Sequence, residues 1–325
     1  MTPACSNERL SDAPTIAADG RKWLQKLLGP TSLDLYFERY WEREHLWIPA
    51  HASASYEDLL PLGQFDAYLS RNDVRYPAIK IVKSARNVPL NDYARQIKLG
   101  SYASDGLIDM DLVADAYRKG GTVVVQLMEK SFVNLAVFSE ALGAFFQTGV
   151  AVHGFLTPPG AQGLGAHYDT ASAFLIQLRG SKRWRLFGLE VEAPTPDQTF
   201  DASKPIKGEP LDEIMLRAGD VVYIPRGLPH EGLTVDEESL HLTVVVAPKT
   251  WIDIFASILR ECQKSEEFRK APSELIIDAI GDPGMEEKWA KLVGRFNSAA
   301  TLGTWRSVNE TSELVSPASR LGRWI

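Results

Sequence analysis

The stretch from Val150 to Ala247 constrains the fold most, because it consists of short β-branched or aromatic runs separated by Gly, Pro and Asp. The runs are Val150–Phe155, Ala173–Leu178, Arg183–Phe187, Asp220–Ile224 and Leu240–Ala247. Many short strands with turn residues between them are typical of a β-sandwich or a β-barrel. We therefore predict a mainly β core.

Segments with other patterns flank this β-rich stretch on both sides. Residues 1–20 are polar and turn-rich, which predicts a flexible arm. Helical periodicity predicts helices from Arg21 to the Gly29-Pro30 stop, from Ser32, at Tyr56–Leu60, Leu62–Ser70, Asp109–Lys119 and Asn134–Phe146, from Trp251, and at Leu275–Ile280 and Trp289–Phe296. Short strands are predicted at Leu46–Ile48, at Ile79–Val82 on a sheet edge, and at Thr122–Leu127.

Composition excludes several classes of protein. Of the 325 residues 45% are hydrophobic and 24% are charged, which is typical of a globular chain rather than a disordered one. The net charge of −7 argues against a nucleic-acid coat, and we expect no sequence-specific contact with nucleic acid. Two cysteines, Cys5 and Cys262, define neither a disulfide framework nor a zinc cluster. Without a signal peptide or an apolar run of membrane length, the sequence predicts a cytoplasmic protein that does not contact a membrane.

Three side chains form a candidate metal site. His167 and Asp169 are two residues apart, so on an extended chain they point to the same side. His230 follows a predicted strand and a rigid turn between Pro225 and Pro229. Two histidines and one carboxylate are the facial triad of non-heme Fe(II) oxygenases, and ligands without a thiolate favour Fe(II), Mn(II) or Ni(II) over structural zinc.

The triad alone leaves other interpretations open. His167 and Asp169 could cap turns in a surface loop and bind no metal. If they do bind a metal together with His230, the protein could be a cupin-type isomerase, lyase or dioxygenase.

Lys182 lies at an unusual place in its strand. In the run KRWRLF, Lys182 shares a face with Trp184 and Leu186, so it falls on the apolar side. A buried ammonium needs a countercharge, which one end of a dicarboxylate ligand could supply. The alternative is that Lys182 still belongs to the Gly180-Ser181 turn and is solvated.

The strand from Ser239 to Ala247 also has two different faces. Leu240, Leu242, Val244 and Val246 are on one face, and Ser239, His241, Thr243 and Val245 are on the other. The polar face fits either a ligand cavity or the solvent side of an antiparallel strand, so His241 is a wall residue or an exposed one. His153, on the strand before His167, lines the same cavity or is a core histidine with a satisfied hydrogen bond.

Together these residues resemble the JmjC-type oxygenases, in the cupin-like branch that contains the ribosomal oxygenases of bacteria and eukaryotes. The similarity extends over about residues 21 to 250. It is carried by FERYWEREHLWIP, FLTPPGAQGLGAHYD, AFLIQLRGSKRWRLF, GDVVYIPRGLPHEG and SLHLTVVV.

The resemblance implies a double-stranded β-helix (jelly-roll or cupin) core that binds Fe(II), 2-oxoglutarate and dioxygen and hydroxylates a protein or peptide side chain. It implies His167, Asp169 and His230 as iron ligands and Lys182 as the residue that binds the distal carboxylate of 2-oxoglutarate. Further cosubstrate contacts fall on His153, Phe155 and Thr243. Phe155 departs from the family because it has no hydroxyl, and so does Val245; Thr170 and Ser172 are neutral where relatives often carry acidic residues.

The same resemblance predicts the domain organisation and partners. We expect an arm over 1–20, the oxygenase domain with an N-terminal α+β elaboration over 21–249, and a helical, dimerisation-like region with a shortened tail over 250–325. The family-based substrate is an arginine or histidine of a ribosomal protein, and the protein is expected to be a homodimer. The alternatives are a tailoring hydroxylase of a biosynthetic peptide or small molecule, and a non-catalytic cupin-like metal-binding protein.

Overall fold

The computed structural model describes residues 13–51, 55–99, 102–271, 283–301 and 303. The chain forms two compact units, one ending at Pro248 and one beginning at Lys249. No helix among these residues has both the length and the apolar character that a membrane crossing requires.

Among its described residues, the first unit contains five α-helices and twelve strands. Its helices are α1 (Ala13–Leu28), α2 (Leu33–Leu35, continued by a π-helical turn at Tyr36–Tyr40), α3 (Leu62–Leu69), α4 (Met110–Arg118) and α5 (Val133–Phe146), with 3₁₀ turns at Leu90–Asp92 and Met128–Lys130. Its strands are β1 (Leu46–Ile48), β2 (Ile79–Lys83), β3 (Arg86–Asn87), β4 (Ala94–Leu99), β5 (Tyr102–Ile108), β6 (Thr122–Val125), β7 (Val150–Thr157), β8 (Ser172–Leu186), β9 (Asp212–Arg217), β10 (Val221–Ile224), β11 (His230–Leu233) and β12 (Ser239–Val246).

One long strand, β8, organises the sheet. Its first half pairs with β10 on one side and β12 on the other, and its second half pairs with β9 and β11. The sheet continues from β12 through β7, β6 and β2 to β3, while β1 extends it beyond β10. All of these pairs are antiparallel. Strands β4 and β5 form a separate hairpin.

Gly180 lets β8 change partners without ending. It has a φ of +65°, and a Cβ atom there would lie 1.8 Å from the carbonyl oxygen of Glu238. Only glycine fits both the positive φ and this close approach. The pairing with β12 shifts register between Leu240 and His241, close to this point. β8 therefore bends at Gly180, and its two halves belong to two differently paired parts of the sheet.

The two faces of the sheet have different environments. On β12, Leu240, Leu242, Val244 and Val246 are fully buried in the main hydrophobic core, which also contains residues of α1, α3 and α5. His241, Thr243 and Val245 line a cavity on the opposite face. A smaller apolar cluster contains Trp184 and Leu186 of β8 together with residues of β9 and β10. The prediction of a mainly β core with helical flanks is confirmed, and the polar face of β12 is a cavity wall.

The second unit contains α6 (Trp251–Cys262), α7 (Glu266–Arg269) and α8 (Pro283–Ala299). α6 begins with a capping box, because the Thr250 side chain accepts from the backbone of Asp253 and the Asp253 side chain accepts from the backbone of Thr250. Phe255 of α6 lies 6.4 Å from Phe296 of α8, measured between ring centroids. Cys262 is a buried free thiol. The helix predicted at Leu275–Ile280 and the other cysteine, Cys5, lie outside the described residues.

Several local predictions are wrong. α1 begins at Ala13, so residues 13–20 are helical rather than part of an arm, and residues 1–12 lie outside the described residues. This helix packs along α5, with Trp23 edge-on to Phe138 at 5.1 Å, and such tertiary packing outweighs a polar composition. Tyr56–Leu60 forms turns, since its apolar residues fill the core without a helix.

Two strand predictions also need correction. The runs Ala173–Leu178 and Arg183–Phe187 belong to one strand, because Gly180 bends β8 instead of ending it. β2 is not the sheet edge, since it pairs with both β6 and the short β3.

Candidate metal centre and ligand cavity

The three predicted metal-binding side chains lie close together in the structure. His167 and Asp169 lie in the segment between β7 and β8, and His230 is the first residue of β11. The backbones of His167 and His230 pair directly, with N–H···O distances of 3.1 and 2.8 Å. One ligand atom from each of the three side chains lies within 4.8 Å of the others. These distances are compatible with one shared ion.

Hydrogen bonds orient both imidazole rings. Nδ1 of His167 donates to the carbonyl oxygen of Gly165 at 2.7 Å, and Nδ1 of His230 donates to that of Leu228 at 3.0 Å. This tautomer leaves Nε2 of each ring as the free electron-pair donor, which is how metal-binding histidines are usually held. Each Nε2 lies 3.9 Å from an oxygen of Asp169. Burial, and then the neighbouring His167, lower the pKa of His230 to about 4, which keeps its ring neutral and able to ligate.

A buried ion pair secures the turn that precedes His230. Arg226 donates through Nε to Glu42 at 2.5 Å and through Nη1 to the carbonyl oxygen of Pro194 at 2.9 Å. Its backbone N–H donates to the Ser172 hydroxyl, and the next N–H, of Gly227, donates to the backbone oxygen of Asp169. Hydrogen bonds therefore link this turn, which precedes His230, to the backbone of Asp169. Glu42 links the same turn to the N-terminal elements.

The triad opens into a cavity of about 320 Å³. Its lining includes all seven sequence-predicted site residues: His153, Phe155, His167, Asp169, Lys182, His230 and Thr243. His241, whose position the sequence left open, is part of the same wall. Leu164 and Asp169 are the exposed members of the lining and mark its open side.

Lys182 lies at the closed end of this cavity. It is 3% exposed, and its ammonium group donates to the Thr157 hydroxyl at 3.1 Å. Among the described residues no carboxylate lies within ion-pair distance of it. Burial alone lowers the pKa of Lys182 to about 7. Lys182 is therefore not in a solvated turn, and a carboxylate of a ligand would supply the countercharge that the described residues do not provide.

A glycine makes room for the lysine. A Cβ atom at Gly232 would lie 2.9 Å from Cε of Lys182 and 3.0 Å from the Trp184 ring. The ammonium also lies 5.4 Å from the centroid of that ring, a cation–π distance. Thr157 and Gly232 are thus contacts of Lys182 that sequence reasoning missed, whereas strand alternation did place Trp184 beside it. Thr157 and Gly232 come close to Lys182 only in the folded sheet, so the sequence near Lys182 does not reveal them.

His153 and Phe155 line the cavity but differ in their capacity for hydrogen bonds. Nδ1 of His153 accepts a hydrogen bond from the backbone of Leu127 at 3.2 Å, so its proton is on Nε2. Burial is the main cause that lowers the pKa of His153 and favours the neutral ring. Phe155 offers no polar atom, and it stacks on His241 with a centroid distance of 5.0 Å and an interplanar angle of 4°.

The buried lysine makes a stability prediction. In the unfolded chain Lys182 regains its ordinary pKa, so between about pH 7 and 10 the unfolded state holds a proton that the folded state has lost. The contribution of Lys182 to the free energy of unfolding therefore rises with pH in that window. Below about pH 7 both states hold the proton, so the buried ammonium destabilises the folded state to its full extent. We expect Lys182→Met to raise the free energy of unfolding at pH 6 by about 1–4 kcal/mol, with a smaller gain at pH 9.

Chemical denaturation of the ligand-free protein at pH 6, 7, 8 and 9 measures this difference. Lys204→Met is the matched control, because Lys204 is 82% exposed and pairs with Asp201 at the surface. A Lys182→Met variant that is no more stable than the wild type at pH 6 contradicts the interpretation of Lys182 as an unpaired buried ammonium.

Comparison with known proteins finds a matching family model and similar sequences. Residues 126–254 match the family model for the JmjC domain. The "Bifunctional lysine-specific demethylase and histidyl-hydroxylase NO66" of Dictyostelium discoideum is 30% identical over 262 residues, which cover 78% of this chain and 48% of that protein. "Ribosomal oxygenase 1" of Gallus gallus is 29% identical over 283 residues, covering 85% of this chain and 45% of that protein.

Among solved structures, the X-ray structure of ycfD from Escherichia coli matches with 17% identity and a TM-score of 0.49, covering 86% of this chain and 70% of that one. The chain spans less than half the length of the two curated relatives. The matched domain includes all three members of the triad and Lys182. The match to the JmjC domain therefore covers residues 126–254, and over most of its length the chain is similar in sequence to relatives of the ribosomal oxygenase branch.

Proposed function

We propose that this protein is an Fe(II)- and 2-oxoglutarate-dependent oxygenase that hydroxylates a side chain of a protein or peptide. One observation carries the proposal: an ammonium without a carboxylate partner and a His-Asp-His cluster face the same cavity. A metal chelator with a second, distal carboxylate satisfies both features at once. 2-Oxoglutarate is such a molecule, since its oxo-acid end chelates metals and its other end is a free carboxylate.

The donor set fits the metal. Nε2 of His167, Nε2 of His230 and one oxygen of Asp169 would hold Fe(II) and leave coordination positions open for a cosubstrate and dioxygen. When bound, iron with 2-oxoglutarate and dioxygen supplies the oxidising power to insert one oxygen atom into a C–H bond, while 2-oxoglutarate becomes succinate and carbon dioxide.

The residues of this chain position and shield that chemistry. The Gly165 and Leu228 carbonyls fix the two imidazole rings, and Lys182 with Thr157 would bind the far carboxylate at the closed end. Apolar side chains, among them Phe155, Leu175 and Trp184, make up much of the wall between these two ends. Such a wall excludes water and strengthens the attraction between the ammonium and a carboxylate.

The substrate proposal rests on the relatives. Their names are those of a histidyl-hydroxylase and a ribosomal oxygenase, and we infer by analogy that an arginine or histidine of a ribosomal protein is hydroxylated. The substrate side chain would enter on the open side, past Leu164 and Asp169. The neutral Thr170 and Ala171 line the cavity directly after the candidate ligand Asp169.

Removal of a metal ligand tests the proposed activity. We expect His167→Ala and Asp169→Ala each to lower succinate formation by more than the roughly 100-fold that loss of an outer-shell partner of a metal site costs. The assay supplies Fe(II), 2-oxoglutarate and a set of ribosomal-protein peptides, and mass spectrometry detects a gain of one oxygen atom. His45→Ala is the control, because His45 pairs with Asp212 and is not part of the cavity lining.

The outcomes separate the alternatives. Undiminished succinate formation in both ligand variants contradicts the proposed metal site. Hydroxylation of a biosynthetic peptide or small molecule, and of no ribosomal peptide, supports a tailoring hydroxylase. Binding of 2-oxoglutarate that does not depend on Fe(II) supports a non-catalytic cupin-like protein.

We further propose a homodimer formed through the helical region over 250–325, with residues 21–249 as the oxygenase domain. One face of α6 carries four apolar side chains that are 48–70% exposed, which is unusual for a helix of a monomer: Trp251, Ile252, Phe255 and Leu259.

We expect sedimentation velocity to show a dimer. The substitutions Ile252→Glu and Leu259→Glu should each weaken this dimer at least about tenfold, since each places a charge in the apolar contact. Exposed Leu211, in the first unit, gives the control variant Leu211→Glu; a wild-type monomer at all concentrations contradicts this proposal.

A cytoplasmic location is part of the same proposal. The buried free thiol of Cys262 fits a reducing compartment, in which thiols persist.

A further inference from the structure

His241 is a buried polar residue in the cavity wall that the proposed site does not use. It is 1% exposed, and its Nδ1 atom has no hydrogen-bond partner. A buried imidazole nitrogen without a partner lowers stability, whereas an apolar residue of similar size would fill the same place without that penalty. An unpartnered polar group in a ligand cavity is therefore a candidate contact for the ligand.

Two aromatic rings fix the orientation of His241. Phe155 stacks on its face, with the ring planes 4° apart, and Trp184 meets it edge-on at 5.3 Å between centroids. These contacts leave the imidazole little rotational freedom. The ring is thus held in place before any ligand binds, which reduces the entropy lost on binding.

Charge links His241 to Lys182. Burial first, and then the positive charge of Lys182, hold the pKa of His241 well below its usual range. The ring is therefore neutral and carries one N–H donor and one acceptor nitrogen. Both residues also contact Trp184, the ammonium from 5.4 Å and the imidazole edge-on. A neutral donor and an unpaired ammonium therefore contact the same indole.

We propose that His241 is a second binding residue for the distal carboxylate of the cosubstrate, to which it donates an N–H while Lys182 supplies the charge. A carboxylate has about four acceptor sites, more than one ammonium and the Thr157 hydroxyl fill. A lysine acts as a point charge with little directional preference, whereas an oriented imidazole adds direction. The inference rests on the proposed function, because it takes 2-oxoglutarate as the ligand.

The same arrangement gives Phe155 a role that the resemblance did not predict. A phenyl ring donates no hydrogen bond to a carboxylate. Phe155 instead positions His241 by stacking on it. In this chain the donor missing at Phe155 is therefore supplied from the neighbouring strand, since Phe155 of β7 and His241 of β12 are directly paired.

Ligand binding without turnover tests the proposal. Isothermal titration calorimetry of the Mn(II)-loaded full chain measures the Kd of 2-oxoglutarate and of 2-oxobutanoate, which lacks the distal carboxylate. We expect His241→Leu to weaken 2-oxoglutarate binding about 10- to 100-fold, as for loss of a hydrogen bond to a charged group, and to change 2-oxobutanoate binding less than about twofold. His241→Asn, which keeps an N–H donor, recovers part of the loss.

Controls separate binding from packing. His45→Leu changes a histidine outside the cavity lining and should leave both Kd values unchanged. Phe155→Leu removes the stacking partner and should weaken 2-oxoglutarate binding alone, by less than His241→Leu does. Phe155→Leu and His241→Asn keep the proposal testable if His241→Leu fails to fold.

Three results overturn the proposal in distinguishable ways. Unchanged 2-oxoglutarate affinity in the His241 variants shows that His241 does not bind the ligand. Equal losses for both ligands show that His241 only maintains the shape of the cavity. If the wild-type protein with Mn(II) binds no 2-oxoglutarate at all, the proposed function itself fails, and the role of His241 fails with it.

Discussion

The continuity of β8 through Gly180 is the constraint on which the rest of the structure depends. Because the strand bends there without ending, its first half joins the sheet that packs against the helices, and its second half holds β9 and β11. Lys182 follows the bend directly, and His230 pairs with Leu186 near the end of the strand. A side chain at Gly180 would collide with the Glu238 carbonyl and separate these parts. Strand β8 thus carries the buried ammonium and also pairs with the strand that carries one candidate metal ligand.

The site holds polar groups in an arrangement that folding alone does not favour. Lys182 is buried without a carboxylate partner, and His241 keeps an unpartnered nitrogen beside it. By contrast, Arg226 pairs with Glu42, and both candidate metal-binding imidazoles donate to carbonyl groups. A dicarboxylate ligand in the cavity would satisfy both Lys182 and His241, which is typical of a binding site that is formed before its ligand arrives.

Local sequence patterns predicted the parts of this site that depend on strand parity. Alternation alone placed Lys182 with Trp184 and Leu186 on the inner face, and the same alternation separated the two faces of β12. What sequence could not predict depends on contacts between distant segments. The Gly180-Ser181 pair is a turn signal locally, and only the approach of Glu238 shows that the strand continues. The Glu42–Arg226 pair and the stacking of Phe155 on His241 likewise need the assembled fold.

The central claim is that one ligand connects the triad to Lys182. An anaerobic titration of the metal-free protein with Fe(II) and then 2-oxoglutarate tests it most directly, because the chelated complex has a weak visible charge-transfer band. The account predicts that the band appears in the wild-type protein at low 2-oxoglutarate concentration. It also predicts that Lys182→Ala requires a much higher concentration to form the same band. If Fe(II) binds but no band develops, or if the band forms equally well in Lys182→Ala, the claim is contradicted.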